Sequence, residues 1–218
     1  MLDGPRLAPA SGGPARQLIV LLHGYGSNGA DLISLAPLWH HALPDATFVA
    51  PNGPERCSGA PGGFQWWALQ SLDRASLAAG VARAAPKLDA FLDAQLAEHG
   101  LTPDRLLLVG FSQGTMMALH VGPRRAKQVA GILGYSGMVA DPLTARNDIR
   151  TRPPVLLVHG SADDVVPAIA LPEAEQILKS EGMAVETHLL PGIGHTVDVR
   201  GLQLGERFAR KVLLGNDG

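Results

Sequence analysis

Cysteine is almost missing from this chain. Cys57 is the only one in 218 residues, so an internal disulfide is excluded, and so is a structural zinc site built on several thiolates. Charge of one sign is missing too. The formal net charge is −2, without the basic stripe that nucleic-acid binding asks for, so nucleic acid is not an expected partner. The local basic run Arg124, Arg125 and Lys127 reads as the solvated end of a helix. No apolar run is long enough to span a bilayer, and stable membrane insertion is not expected. The segment Met1 to Pro5 lacks the basic start and apolar core of a signal peptide, so the expected location is cytoplasmic. There is no H-E-x-x-H and no dense group of ligand residues; neither a metal nor a cofactor is expected. No internal repeat or linker composition interrupts the chain, and a single domain over residues 1–218 is the expectation.

What the chain does have is apolar content, at 46%, arranged in alternating patterns. Gln17 to Leu22 is continuously apolar after its first residue, as a strand buried on both faces would be. Further strands are predicted at Thr47 to Ala50, Arg105 to Val109, Val129 to Tyr135, Val155 to Val158 and Val185 to Leu190. Helical patterns fall between them. They cover Asp31 to Ala42, Asp73 to His99 with an interruption near Pro86, Gln113 to Val121, Leu171 to Glu181 and Val199 to Leu214. Pro54 to Gly63 reads as a surface loop. Strand alternating with helix implies a mostly parallel central sheet flanked by helices, and chemistry on such a sheet gathers at the carboxyl ends of the strands.

After the third predicted strand stands Gly110-Phe111-Ser112-Gln113-Gly114, a G-x-S-x-G placed between a strand and a helix. The motif seats its serine on a sharp, strained turn that projects the hydroxyl clear of the backbone, and the glycines permit the crowding. Ser112 is the candidate nucleophile. A serine hydroxyl is weak alone and needs a base beside it. Of the eight histidines, His195 lies in a glycine-rich loop, Pro191 to His195, after the last strand and before the last helix, and is the candidate base. His23 and His159 each end a strand before a glycine and read as structural turn residues; His120 reads as a packing residue. The acid should also follow a strand. His159 to Pro167 offers Asp163 and Asp164, and spacing barely separates the two. The chain order Ser, Asp, His is that of α/β hydrolases, unlike the orders used by chymotrypsin-like and subtilisin-like enzymes.

A tetrahedral intermediate needs preorganised N–H donors for its oxyanion. The N–H of Gln113, just after the nucleophile, is one candidate, and the N–H of Tyr25 in His23-Gly24-Tyr25-Gly26 is the other. The same segment supplies a rival. Gly24 to Gly29 matches the dinucleotide fingerprint G-x-G-x-x-G of an oxidoreductase. That motif wants an acidic residue at the end of the second strand, where this chain reads Phe48-Val49-Ala50-Pro51. The ribose ligand is missing, and the nucleotide reading is set aside.

Together these residues resemble the bacterial carboxylesterase, lysophospholipase and acyl-protein thioesterase family of α/β hydrolases. Leu21 to Leu32 resembles its oxyanion segment, Gly110 to Leu119 its elbow, His159 to Pro167 its acid motif and Gly192 to Val197 its histidine motif. Tyr135-Ser136-Gly137 resembles its next strand end, and Gln65-Trp66-Trp67 its tryptophan loop beside the acyl pocket. Ser161 stands where many members carry Asp, outside the expected triad. The resemblance puts the acid on Asp163. It implies an α/β-hydrolase fold with no separate cap domain, and a serine carboxylesterase acting on short- to medium-chain acyl esters. An acyl-protein thioesterase or lysophospholipase on the same triad is the alternative, with a serine peptidase as a further one. A non-catalytic hydrolase-fold binding protein is the reading of another class. Trp66, Trp67, Leu69, Leu72, Met138 and Val166 are the candidates to line the acyl site, with one of the two adjacent tryptophans facing it. The expected partner is a small acyl ester; a homodimer is left open.

Overall fold

The structure, a computed structural model, describes residues 2–69, 71, 73–141 and 148–215. Its elements run β1 (Arg6–Leu7), β2 (Gln17–Leu22), α1 (Gly29–Ile33), α2 (Ala36–Trp39), β3 (Ala46–Val49), β4 (Glu55–Arg56), β5 (Phe64–Gln65), α3 (Arg74–His99), β6 (Leu106–Phe111), α4 (Gln113–Val121), β7 (Gly131–Tyr135), β8 (Val155–Gly160), α5 (Ala170–Ser180), β9 (Val185–Leu190) and α6 (Val199–Leu214). Seven strands make one sheet in the order β1-β3-β2-β6-β7-β8-β9, parallel throughout except for β1 against β3. The chain is thus an α/β protein with the expected mostly parallel sheet.

Strand β2 shows why continuous apolarity is needed. Leu18, Val20 and Leu22 point into a core shared with α3, α4 and α5. Ile19 and Leu21 point the other way, into a core shared with α1, α2 and α6. Every position is therefore buried, and no polar alternation survives. Burying a Leu or Ile side chain in this way contributes about 1.5–3 kcal/mol relative to leaving it exposed.

Local signals set several boundaries. Asp73 caps α3 by accepting from the Ser76 N–H at 3.0 Å, and Gly100 ends it at φ 64 in the left-handed region. Asp198 caps α6 by accepting from the Gly201 N–H at 2.7 Å. Other expectations need correction. The helix expected over Asp31 to Ala42 is two short ones, because Pro37 begins a new first turn. Helix α3 is not interrupted at Pro86 but runs through it; that residue is exposed, where water can satisfy the carbonyl that loses its N–H partner. The loop from Pro54 contains β4, which pairs with β5 in a two-stranded sheet of its own. The basic run is not all solvated. Arg125 is buried and ion-paired to Asp89 and Asp93, one turn apart on α3, tying that helix to the turn after α4.

The last helix positions the histidine loop, and it does so through a close approach. A Cβ built on Gly205 of α6 overlaps Tyr135 Oη and comes within 2.9 Å of the Trp39 ring. Tyr135 Oη meanwhile donates to Gly201 O at 3.0 Å, and burial holds the phenol protonated, well above its ordinary pKa. Gly205→Ala is expected to destabilise the protein by about 1–3 kcal/mol, read from urea unfolding. An unchanged midpoint would show that α6 does not depend on this contact.

Candidate active site

Strand β6 hands over to α4 at a single residue. Ser112 has φ 52 and ψ −116, a strained conformation for a residue with a side chain, so the expected sharp turn is present. Its N–H donates to Tyr135 O at 2.9 Å, and its carbonyl accepts from the Met116 N–H at 3.2 Å. The flanking glycines have separate jobs. A Cβ on Gly114 would overlap the Leu22 carbonyl at the end of β2, and one on Gly110 would collide with the backbone of Gly114 and Thr115. Only glycine lets β2, β6 and α4 meet this closely.

The acid motif leaves β8. Asp163 is buried, and Asp164 is exposed. The Asp163 carboxylate divides its oxygens between two tasks. Oδ1 accepts from the N–H groups of Val165 at 3.0 Å and Val166 at 2.8 Å, a turn closed on its own chain. Oδ2 lies 2.8 Å from His195 Nδ1. Burial pushes this carboxyl up, but the hydrogen bonds from His195, Val166 and Val165 outweigh it and hold the group below its ordinary value. An acceptor-only carboxylate facing Nδ1 assigns the proton to Nδ1 and leaves Nε2 of His195 with its lone pair. The His195 ring packs on the Phe111 ring with centroids 4.8 Å apart, which sets the imidazole against the residue before Ser112. No hydrogen bond joins Ser112 Oγ to His195 among the described residues. Such contacts commonly tighten only when substrate arrives.

The early loop closes on the same place. A Cβ on Gly24 would stand 3.3 Å from Ser112 Cβ and 3.0 Å from the Phe111 ring, so the loop lies directly on the elbow. His23 anchors it as the structural turn residue expected. His23 Nδ1 donates to Gly24 O at 2.7 Å, and Nε2 accepts from the Gly53 N–H at 2.8 Å, with burial pulling the imidazole below its usual pKa. The backbone N–H groups of Tyr25 and Gln113 make no hydrogen bond among the described residues. His120 is half-buried on α4, held down to about 4 by desolvation and by Arg124.

The pocket expectations fare differently. Trp66 and Trp67 are 1% and 2% exposed, so neither ring faces a substrate cleft. Trp66 stacks on the His23 ring and donates from Nε1 to His23 O at 3.0 Å. Trp67 lies against Gly80 of α3, where a Cβ would overlap its ring. The reason was not visible in the motif: the Gln113 side chain, itself buried, accepts from Trp66 N–H at 2.9 Å and donates to Trp67 O at 3.0 Å. That clamp holds the loop inward. Val166 is also buried, and Val165 is the exposed neighbour. Leu69 is half-buried against the core. Met138 lines a small cavity of about 100 Å³ with Leu77, Ala170, Ala174 and others. Leu72 lies outside the described residues. Ser136, in the segment that resembles the family's next strand end, is buried with φ 47, and its N–H donates to Val158 O at 2.9 Å.

The chain is similar to known proteins. A family model described as phospholipase/carboxylesterase matches residues 8–213. The Escherichia coli (strain K12) protein named esterase YpfH is 29% identical over 191 residues, 87% of this chain and 80% of that one. Acyl-protein thioesterase 1 of Schizosaccharomyces pombe is 30% identical over 161 residues, 69% of this chain and 70% of that one. The crystal structure of esterase PE8 superposes with a TM-score of 0.93 at 43% identity, covering 97% of this chain and 99% of that one.

The depressed Asp163 pKa makes a prediction about stability. Its charged form stabilises the folded state above the ordinary carboxylate range, and this is lost as pH falls through that range to the lower folded-state value. Asp163→Asn should therefore flatten the acid-side fall of the urea midpoint below about pH 4. A slope equal to that of the parent protein would mean the carboxylate carries no such linkage.

Proposed function

The chain belongs to the phospholipase/carboxylesterase family, and from that footing we propose that its ester hydrolysis runs on Ser112, His195 and Asp163. The membership makes it a serine hydrolase acting on carboxylic esters. The observation that carries the triad reading is the 2.8 Å bond between His195 Nδ1 and Asp163 Oδ2, on an imidazole seated against the strained Ser112 elbow.

The steps follow from the geometry. As Ser112 Oγ attacks the acyl carbonyl carbon, His195 Nε2 takes the hydroxyl proton. The carbonyl electron pair moves onto oxygen, where the N–H groups of Tyr25 and Gln113 receive it; each is without another acceptor among the described residues. The positive end of α4 points at the same spot. Collapse expels the alcohol oxygen, which takes the proton from His195, and leaves an acyl-serine. Water then repeats the sequence, with His195 as base, and frees the acid. Asp163 holds the tautomer and stabilises the imidazolium without taking a proton itself. The substrates are proposed to be short- to medium-chain acyl esters.

Relatives named acyl-protein thioesterase favour a second reading, a thioester on the same triad, since a thiolate leaves more readily than an alkoxide. No helix of the described residues is long and apolar enough to cross a membrane, and a cytoplasmic location is proposed.

The test is a panel of p-nitrophenyl esters and acyl thioesters of rising chain length, run with EDTA and beside a fluorophosphonate probe. Turnover insensitive to EDTA, falling off with long chains, is expected. Ser112→Ala should lose covalent labelling, and both Ser112→Ala and His195→Ala should lose turnover by roughly 10⁴-fold or more. Labelling that persists in Ser112→Ala would sink the assignment.

A further inference from the structure

A second imidazole touches the catalytic carboxylate. His159, the penultimate residue of β8, is almost fully buried, and its Nε2 lies 3.3 Å from Asp163 Oδ2, the oxygen that His195 binds. The same Nε2 stands 2.9 Å from Val166 O. Both facing atoms are acceptors only, a carbonyl and a carboxylate, which assigns the ring proton to Nε2. That N–H therefore sits between the turn that holds Oδ1 and the oxygen that faces the base. The histidine that ends β2, by contrast, spends both ring nitrogens on backbone groups, Gly24 O and Gly53 N–H. His159 is the one that meets the charge.

We propose that His159 is a positioning residue for the acid: its Nε2–H braces the 163–166 turn through Val166 O, and the same nitrogen stands close enough to Asp163 Oδ2 to compete with His195 for that oxygen, so that the acidic limb of the activity profile depends on it. The inference rests on the triad reading given above. The physical chain is short. A donor dipole near Oδ2 competes with His195 for the same negative charge. Removing it leaves Oδ2 to His195 alone, and the acidic limb of the activity profile moves upward. Other groups do not duplicate this effect. His195 and His159 are the titratable side chains in contact with the carboxylate among the described residues. Asp164 beside it is exposed, and Asp198, from the element that follows His195, is turned to the Gly201 N–H.

The experiment measures kcat/KM for a short p-nitrophenyl ester across about pH 5 to 9 in the full chain, its His159→Phe variant and its His159→Gln variant. Phenylalanine keeps the ring volume and deletes the donor; glutamine keeps an N–H donor. His159→Phe should move the acidic limb upward by about half a pH unit or more, a loss of roughly threefold in kcat/KM below the limb relative to its own plateau. KM should change by less than about twofold, since no substrate contact is removed. His159→Gln should keep its limb close to that of the parent. A limb that stays put or moves down in a folded His159→Phe protein overturns the proposal. A limb that moves as far in His159→Gln as in His159→Phe overturns it too, because ring packing would then be the cause. Should His159→Phe fail to fold, His159→Leu is read by the same criterion. Activity retained in Ser112→Ala would sink the triad reading, whereas its loss beside an unmoved limb in His159→Phe sinks only the role of His159.

Discussion

Strand β6 must turn into helix α4 within one residue, and the active site is arranged around the tightness of that turn. Ser112 carries φ 52 there, which costs on the order of 1–3 kcal/mol and persists only where the surroundings over-determine it. They do so from three sides. Tyr135 O on β7 receives the Ser112 N–H, the Leu22 carbonyl of β2 bears on Gly114, and Gly24 lies on the Phe111 ring. The two strands flanking β6 are thus the ones that hold its last turn. The neighbour on one side brings the early loop, and the neighbour on the other leads, one strand further, to the acid. A sheet built in the order β2-β6-β7-β8 places the loop at Gly24, Ser112 and Asp163 at carboxyl ends within four neighbouring strands.

Much of this was legible in the residues, for identifiable reasons. Strands buried on both faces leave continuous apolar runs, so β2 and β6 are plain to see, and a glycine-flanked serine between a strand and a helix has few other uses. The choice between Asp163 and Asp164 was not legible from spacing, because adjacent residues in a turn differ only in which way they face. The structure supplies the difference: the N–H groups of Val165 and Val166 curl onto Oδ1 of the first and leave the second to solvent. Pairings between distant segments leave no periodic trace. The two-residue strand β1 is one such case, and Arg125 between Asp89 and Asp93 is another.

The tryptophan pair shows a different kind of failure. Alternation in an extended segment would turn Trp66 and Trp67 to opposite sides, which suggested that one faces the substrate. Backbone hydrogen bonds decided otherwise. Gln113 grips the backbone of both residues, so a side chain next to the nucleophile fixes a loop some fifty positions earlier in sequence. Gln113 is thereby two residues in one. Its backbone N–H makes no hydrogen bond among the described residues, while its amide holds the wall behind the early loop and keeps Trp66 stacked under His23. An apolar residue at this position would leave the Trp66 N–H and Trp67 O buried without partners, each at a cost of about 1–3 kcal/mol.

The same economy explains how a buried carboxylate stays charged. Isolated, Asp163 would take up a proton rather than lose its hydration. Two N–H groups of its own turn satisfy Oδ1, and an imidazole from the loop before α6 satisfies Oδ2. His159 braces the same turn by donating from Nε2 to Val166 O. Donors from its own turn and from the His195 loop thus converge on one group, so the charge both closes the turn and joins it to the loop before α6. That double duty limits what evolution or design can change here. A substitution of Asp163 loosens the turn and releases the His195 ring together. The closure of the turn and the placement of the imidazole are coupled through a single carboxylate.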